Sequence, residues 1–240
     1  MDRNHAGEKI IFALDVNGLS EIDRFAGMLS DKVGMFKIGK ELFTAVGPEA
    51  VKAVQHRGGR VFLDLKYHDI PTTVAKAMLE AARMGVQLVN LHALGGAEMM
   101  ETAATAVRKE FGDQRPKLLA VTILTSSTRE TLRGVGIDHA VPEMVVRLAK
   151  LALNAGMDGV VASPLEIGLI RAACGPDFLI VTPGVRPGFA AVDDQKRIMS
   201  PAEAVSAGAD YLVIGRPIAQ AENPGVAADM ISDEIVAGCP

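Results

Sequence analysis

With 240 residues, 49% of them hydrophobic, the chain can bury one large core, and its length permits either one α/β barrel or two small domains. A formal net charge of −4 speaks against a nucleic-acid surface and against a polybasic membrane patch. No apolar run approaches the roughly 18 residues that a membrane span needs, and residues 1–9 carry no apolar leader stretch. Two distant cysteines, Cys174 and Cys239, lack metal-ligand spacing and fit a reduced, cytoplasmic setting.

Along the chain, eight short apolar runs read as buried strands: 10–16, 35–39, 61–66, 88–92, 118–124, 159–163, 178–183 and 211–215. Amphipathic stretches separate them, with start residues at Ser20, Pro48, Pro142, Pro164 and Pro201, since proline suits the first helical turn. After the third strand the pattern predicts a helix over 72–84. Three helix-to-strand junctions repeat one design: Ala82-Arg83-Met84-Gly85-Val86, Leu153-Asn154-Ala155-Gly156-Met157-Asp158 and Val205-Ser206-Ala207-Gly208-Ala209-Asp210. Glycine ends each helix with a left-handed turn, and a continuous apolar strand follows, the mark of parallel βα units covered on both faces. Eight such units, in a fold whose usual size is about 250 residues, predict a (β/α)₈ TIM barrel with residues 1–240 as a single domain. A doubly wound open sheet competes, but no Gly-x-Gly-x-x-Gly follows the first strand.

Chemistry in such a barrel gathers at the C-terminal ends of the strands. There the sequence places Asp15 on the first strand, Lys37 on the second, Asp64 and Lys66 on the third and His92 on the fourth. Thr125 and Ser126 follow the fifth, Pro183 and Arg186 the seventh, Gly215 and Arg216 the eighth. The third strand end is the richest, running Asp64-Leu65-Lys66-Tyr67-His68-Asp69-Ile70-Pro71. Burying an unpaired ion is costly, so these charges belong to the mouth and not to the core. Strand alternation sets Asp64 and Lys66 on one face, with Leu65 opposite. Single residues keep simpler readings: Asp15 also suits a turn, and either lysine would serve as a strand-end lysine reaching water. Asp69 stands where a helix N-terminus favours a carboxylate. His92 is of a kind more often hydrogen-bonded than catalytic.

Loops after the last two strands are where these barrels hold phosphate. Gly215 lets backbone N–H groups approach oxygen atoms, and Arg216 offers a charged fork. Residues 184–195, rich in Gly and Ala and without a helical stripe, read as a lid whose ligand-facing groups are Arg186 and Gln195. A surface loop without a role is the alternative.

Together, Asp64-x-Lys66-x-x-Asp69-Ile70-Pro71, Lys37-Ile38-Gly39, Leu124-Thr125-Ser126, Pro183-Gly184-Val185-Arg186-Pro187 and Gly215-Arg216 resemble the orotidine 5′-phosphate decarboxylase family, over about residues 10–235. The resemblance implies a TIM barrel, a homodimer with active sites at its interface, no cofactor and no metal. The implied reaction is decarboxylation of orotidine 5′-phosphate to uridine 5′-phosphate, in pyrimidine nucleotide synthesis. It makes Lys37, Asp64, Lys66 and Asp69 a charged tetrad, with Lys66 protonating C6 and with Asp69, Ile70 and Thr73 entering the partner subunit's site. Asp15 and Lys37 would hold the ribose, and Thr125 and Ser126 the pyrimidine. Arg186, Gln195, Gly215 and Arg216 would grip the phosphate or close over it, with Pro183 also lining the substrate. A magnesium-dependent sugar-phosphate relative, such as 3-keto-L-gulonate 6-phosphate decarboxylase or hexulose-6-phosphate synthase, is the nearest rival. Those enzymes carry an acidic residue where Lys37 stands and lack the Ile-Pro of Ile70-Pro71. A non-catalytic phosphate-binding barrel would have no use for matched lysines and aspartates beside the pocket.

Overall fold

Eight parallel strands close into a barrel: β1 (Ile10–Leu14), β2 (Met35–Gly39), β3 (Val61–Tyr67), β4 (Leu88–His92), β5 (Lys117–Val121), β6 (Gly159–Val161), β7 (Leu179–Pro183) and β8 (Tyr211–Ile214). Each pairs with the next in sequence, and β8 returns to β1 through Ile10↔Leu212 and Phe12↔Ile214. The computed structural model describes residues 1–189 and 199–238. The helix predicted over 72–84 is Pro71–Arg83, with Pro71 in its first turn. Pro142 and Pro201 likewise open the helices Val141–Asn154 and Pro201–Ser206.

Side-chain alternation divides each strand between two environments. Ile10, Phe12, Phe36, Ile38, Val61, Leu63, Val89 and Leu91 face outward and join the helices in one large core. Ile11, Met35, Phe62, Leu88, Leu119 and Val181 point inward and fill the barrel. Lys37 continues the inward row of Met35, Asp64 that of Phe62, and Asn90 and His92 that of Leu88. The barrel interior thus changes from hydrocarbon to charge as the strands approach their C-terminal ends. Several apolar runs outlast their strands: β1 stops at Leu14 and not at 16, β5 at Val121 and not at 124, and β6 at Val161 and not at 163. The reason is local, because Ile123, Leu124 and Ala162 leave the ladder to line a cavity at the mouth.

The repeated junctions have a job at the other end of the barrel. Gly85, Gly156 and Gly208 all take positive φ, of 72°, 79° and 108°, where a side chain would be strained. Two residues later stand Gln87, Asp158 and Asp210, and each side chain accepts a backbone N–H from the preceding strand: Val61 at 2.7 Å, Leu118 at 2.8 Å and Ile180 at 2.7 Å. The backbone N–H of each donates back to the same residue's carbonyl, at 2.9 Å in every case. Arginine reinforces the two aspartates. Arg115 forks onto Asp158, with one arm at 2.7 Å, and Arg171 reaches Asp210 at 2.8 Å and the Phe178 carbonyl at 2.8 Å.

Burial by itself would raise the Asp158 carboxyl; the Arg115 and Leu118 hydrogen bonds, with the charges of Arg115 and Lys117, outweigh it and hold the group below its ordinary value. A carboxyl lowered in the folded state stabilises fully above its unfolded pKa of about 4, and this stabilisation fades as pH falls through the lower folded value. Asp158→Ala strands Arg115 and the Leu118 N–H, so we expect it to cost about 2–4 kcal/mol in urea unfolding at pH 7. The difference from the unmutated chain should shrink as the pH is taken below about 4. A difference that persists unchanged at low pH would show that the carboxylate charge is not what stabilises the junction.

Candidate active site

Lys37, Asp64 and Lys66 converge at the top of the barrel interior. Lys66 Nζ lies 2.6 Å from Asp64 Oδ1, and Lys37 Nζ lies 3.8 Å from Asp64 Oδ2 and 3.0 Å from Asp15 Oδ1. Asp64 is buried, at 8% exposure, contrary to the expectation that these charges avoid the core. Its charge is tolerated because it is answered on several sides: two ammonium groups, and the Asn90 amide, which donates to Oδ1 at 2.6 Å. Backbone space matters too, since a Cβ at Gly39 would come within 3.0 Å of Lys37 Nζ.

The strand is not regular here. Leu63 faces Val89 and Tyr67 faces Leu91, so the register slips between them, and Lys66 takes φ 54°, the only positive value of a non-glycine residue among the described residues. Simple alternation therefore gives the right face for Asp64 and Lys66 but misses the bulge that aims them. Asn90, which bridges this bulge, shows in the sequence only as the one amide inside the apolar run Leu88-Val89-Asn90-Leu91.

The three charged residues form one wall of a cavity of about 210 Å³. Its other walls are Phe62, Val121, Ile123, Leu124, Thr125, Val161, Ala162, Pro183 and Val213, so charge on the β2–β3 side faces hydrocarbon on the β5–β8 side. Thr125 is thus in the cavity, whereas Ser126 is exposed beside it. Gly215 closes the ring next to β1: a Cβ there would meet Ala13 Cβ at 3.2 Å and Asp15 Oδ2 at 3.6 Å. Arg216 is exposed at the start of a short helix, Arg216–Ala219. Arg186 is half-buried, and its backbone N–H donates to the Met199 carbonyl at 2.9 Å beside a parallel bridge between Val185 and Met199. Gln195, the other residue assigned to the lid, lies outside the described residues.

Asp69 is not brought to the cluster. Its carboxylate is exposed, accepts the Ile70 N–H at 2.6 Å, and forms no ion pair among the described residues. It does not cap the helix that follows, whose N-cap is Ile70. Ile70, at 64% exposure, and Thr73 share its outward-facing surface. His92 ends β4 half-buried, with its ring 5.6 Å from that of His68. Burial foremost, then the neighbouring His68, Lys40 and Lys66, pushes its pKa below the ordinary histidine value, so it is neutral at pH 7 and adds no cation to the cluster. Among the described residues, no three His, Cys, Asp or Glu side chains converge as metal ligands.

Known proteins resemble this chain along almost its full length. Residues 8–231 match the family described as orotidine 5′-phosphate decarboxylase / HUMPS. An orotidine 5′-phosphate decarboxylase of Pelobacter propionicus is 80% identical over 240 residues, all of both chains. One from Geobacter sulfurreducens is 67% identical over 239 residues, 99% of this chain and 100% of that one. The crystal structure of orotidine 5′-phosphate decarboxylase from Lactobacillus acidophilus superposes with a TM-score of 0.83 at 36% identity, covering 94% of this chain and 98% of that one. That from Pyrococcus horikoshii does so with 0.74 at 26%, covering 95% and 99%. The chain belongs to the orotidine 5′-phosphate decarboxylase / HUMPS family.

Proposed function

We propose that the chain converts orotidine 5′-phosphate to uridine 5′-phosphate and carbon dioxide, the step that completes pyrimidine nucleotide synthesis. The observation that carries this reading is the interlocked Lys37–Asp64–Lys66 cluster facing an apolar cavity, in a chain 80% identical to a named decarboxylase. Breaking the C6–carboxyl bond leaves an electron pair at C6 that no neighbouring carbonyl can delocalise. The protein must therefore offer fixed opposite charge and a proton at that atom. Lys66 is our choice for both: its ammonium stands at the cavity wall, held by Asp64, and would transfer a proton to C6 as carbon dioxide departs. Asp15 and Lys37 would take the ribose hydroxyls, Thr125 and Ser126 the pyrimidine, and Pro183, Arg186, Gln195, Gly215 and Arg216 the phosphate end. Binding energy gathered at the phosphate can then be expressed at the distant reacting carbon.

We read the chain as one domain, because its eight strands close a single barrel, and as a cytoplasmic homodimer in which Asp69, Ile70 and Thr73 serve the partner's site. Support for the dimer comes from the rim. Ile70, Leu94 and Leu165, each just past a strand end, are 64, 45 and 51% exposed, apolar surface that a partner subunit would cover. Asp69 among them would complete the partner's cluster with a second carboxylate. No described helix is long and apolar enough to cross a membrane.

Following the absorbance of orotidine 5′-phosphate in the presence of a chelator tests the main reading. We expect chelator-resistant formation of uridine 5′-phosphate, reduced at least about 10³-fold in Lys66→Ala with the fold retained; no turnover by well-folded protein would sink it. Arg216→Ala should lower kcat/KM for the nucleotide by about 10²-fold and scarcely affect a substrate without phosphate. Equal losses on both would remove Arg216 from the phosphate site. Mixing inactive Asp69→Ala chains with inactive Lys66→Ala chains should restore activity, since mixed dimers contain one intact site. Verified heterodimers that stay inactive would refute the sharing.

A further inference from the structure

Asn90 stands behind the charged cluster and not in the cavity wall. It is completely buried, on the inward row of β4 between Leu88 and His92. Its Nδ2 donates to Asp64 Oδ1 at 2.6 Å, and its Oδ1 accepts the Lys66 backbone N–H at 2.8 Å. These partners fix the amide's orientation, because a carboxylate only accepts and a backbone N–H only donates. Asp64, Leu65 and Lys66 occupy the register slip opposite this single residue of β4. Lys66 is held there with a left-handed backbone, a conformation that persists in a non-glycine residue only where its surroundings impose it.

We infer that Asn90 is a positioning residue for the decarboxylation proposed above. One amide group ties the backbone of the proton donor to the carboxylate that holds its ammonium, and so sets the 2.6 Å contact between Lys66 Nζ and Asp64 Oδ1. No shorter or purely apolar side chain can do both, and glutamine is a methylene too long for the same place. Asp64 and Lys66 would still be present without Asn90, but the bulge would be free to relax towards regular strand, carrying the ammonium away from C6. A misplacement of about 1 Å at a reacting group can cost on the order of 10²-fold in rate.

Three measurements on Asn90→Ala and Asn90→Asp decide it. In Asn90→Ala we expect kcat to fall about 100-fold while KM, and the Kd for uridine 5′-phosphate by calorimetry, stay within about threefold. Asn90→Asp keeps the acceptor for Lys66, and in its protonated form also restores a donor to Asp64. Around that new carboxyl stand Asp64 and Lys66 on β3, Lys37 on β2 and His92 farther along β4. Its activity relative to the unmutated enzyme should therefore rise as the pH is lowered from about 8 to 5. The third measurement needs no turnover: the ¹³C-dimethylated Lys66 amine signal, assigned by its loss in Lys66→Arg, should shift in both variants at pH 7. A merely structural role predicts lost folded protein, an unmoved Lys66 signal and a flat activity ratio. Should Asn90→Ala fail to fold, the Asn90→Asp profile and signal settle the matter alone. Asn90→Ala with kcat within about twofold of the original, or a flat Asn90→Asp ratio with an unmoved signal, overturns the inference. An unmutated protein that ignores orotidine 5′-phosphate, with the Lys66 signal still shifted in the variants, would instead overturn the decarboxylase reading and leave the positioning of Lys66 by Asn90 standing.

Discussion

A buried carboxylate has to be answered where it stands, and in this barrel the group in question is that of Asp64. Removing such an ion from water costs several kcal/mol in order of magnitude, and a single good partner does not always repay it. Here Lys66 and Asn90 both reach Oδ1, while Lys37 stands off Oδ2 and is itself held by Asp15. The consequence is geometric as much as energetic. Because each partner is tied to at least one other group, moving any of them leaves a charge or a polar atom unanswered. The bulge in β3 and the left-handed turn at Lys66 lie within this cluster, where the Lys66 N–H donates to the Asn90 side chain.

Both ends of the barrel carry acidic and basic side chains, yet they use them differently. At the N-terminal end, Gln87, Asp158 and Asp210 spend their acceptors on backbone N–H groups of neighbouring strands, and Arg115 and Arg171 close those arrangements. Such clasps hold strand to strand. At the C-terminal end, the lysine and aspartate side chains answer one another and open onto a cavity. The first arrangement fixes the frame, and the second can exchange partners with a ligand. A barrel can separate stability from chemistry in this way because its strands are all parallel, so that each kind of strand end gathers on one face.

How far the sequence foretells this differs from residue to residue. Long apolar runs marked all eight strands, and the polar residues at their ends marked Lys37, Asp64, Lys66 and Thr125 as mouth groups. The apolar runs 118–124 and 159–163 outlast their strands because a loop that lines a cavity stays hydrophobic, and periodicity cannot tell the two apart. The slip in register between β3 and β4 depends on which residue of one strand meets which of the next, a relation between distant segments that no local pattern contains. Asn90 is hidden for the same reason: its importance lies in two partners 24 and 26 positions away. Asp69 shows a further limit, because a residue whose work is proposed for another subunit leaves only an exposed carboxylate in its own chain. The recurring Gly-x-Asp at two junctions was visible as a repeat, but its role as a clasp needed the neighbouring strand.

Membership of a family whose description extends beyond the decarboxylase leaves the residues themselves to discriminate. In the magnesium-dependent sugar-phosphate enzymes that the resemblance sets beside this chain, an acidic residue is expected at the place of Lys37. A hard divalent cation needs oxygen ligands with charge to spare. In this chain the two carboxylates nearest that place, Asp15 and Asp64, already face two ammonium groups, at 3.0 Å from Lys37 for the first and 2.6 Å from Lys66 for the second. The four formal charges sum to zero, and a dication brought among them would meet Lys37 as a repelling neighbour. The Lys37 ammonium balances charge at this position but offers no open coordination site to share with a substrate oxygen. On the reading proposed above, Lys66 then supplies a fixed charge and a transferable proton, the two things needed when the electron pair of a broken carbon–carbon bond has nowhere else to go.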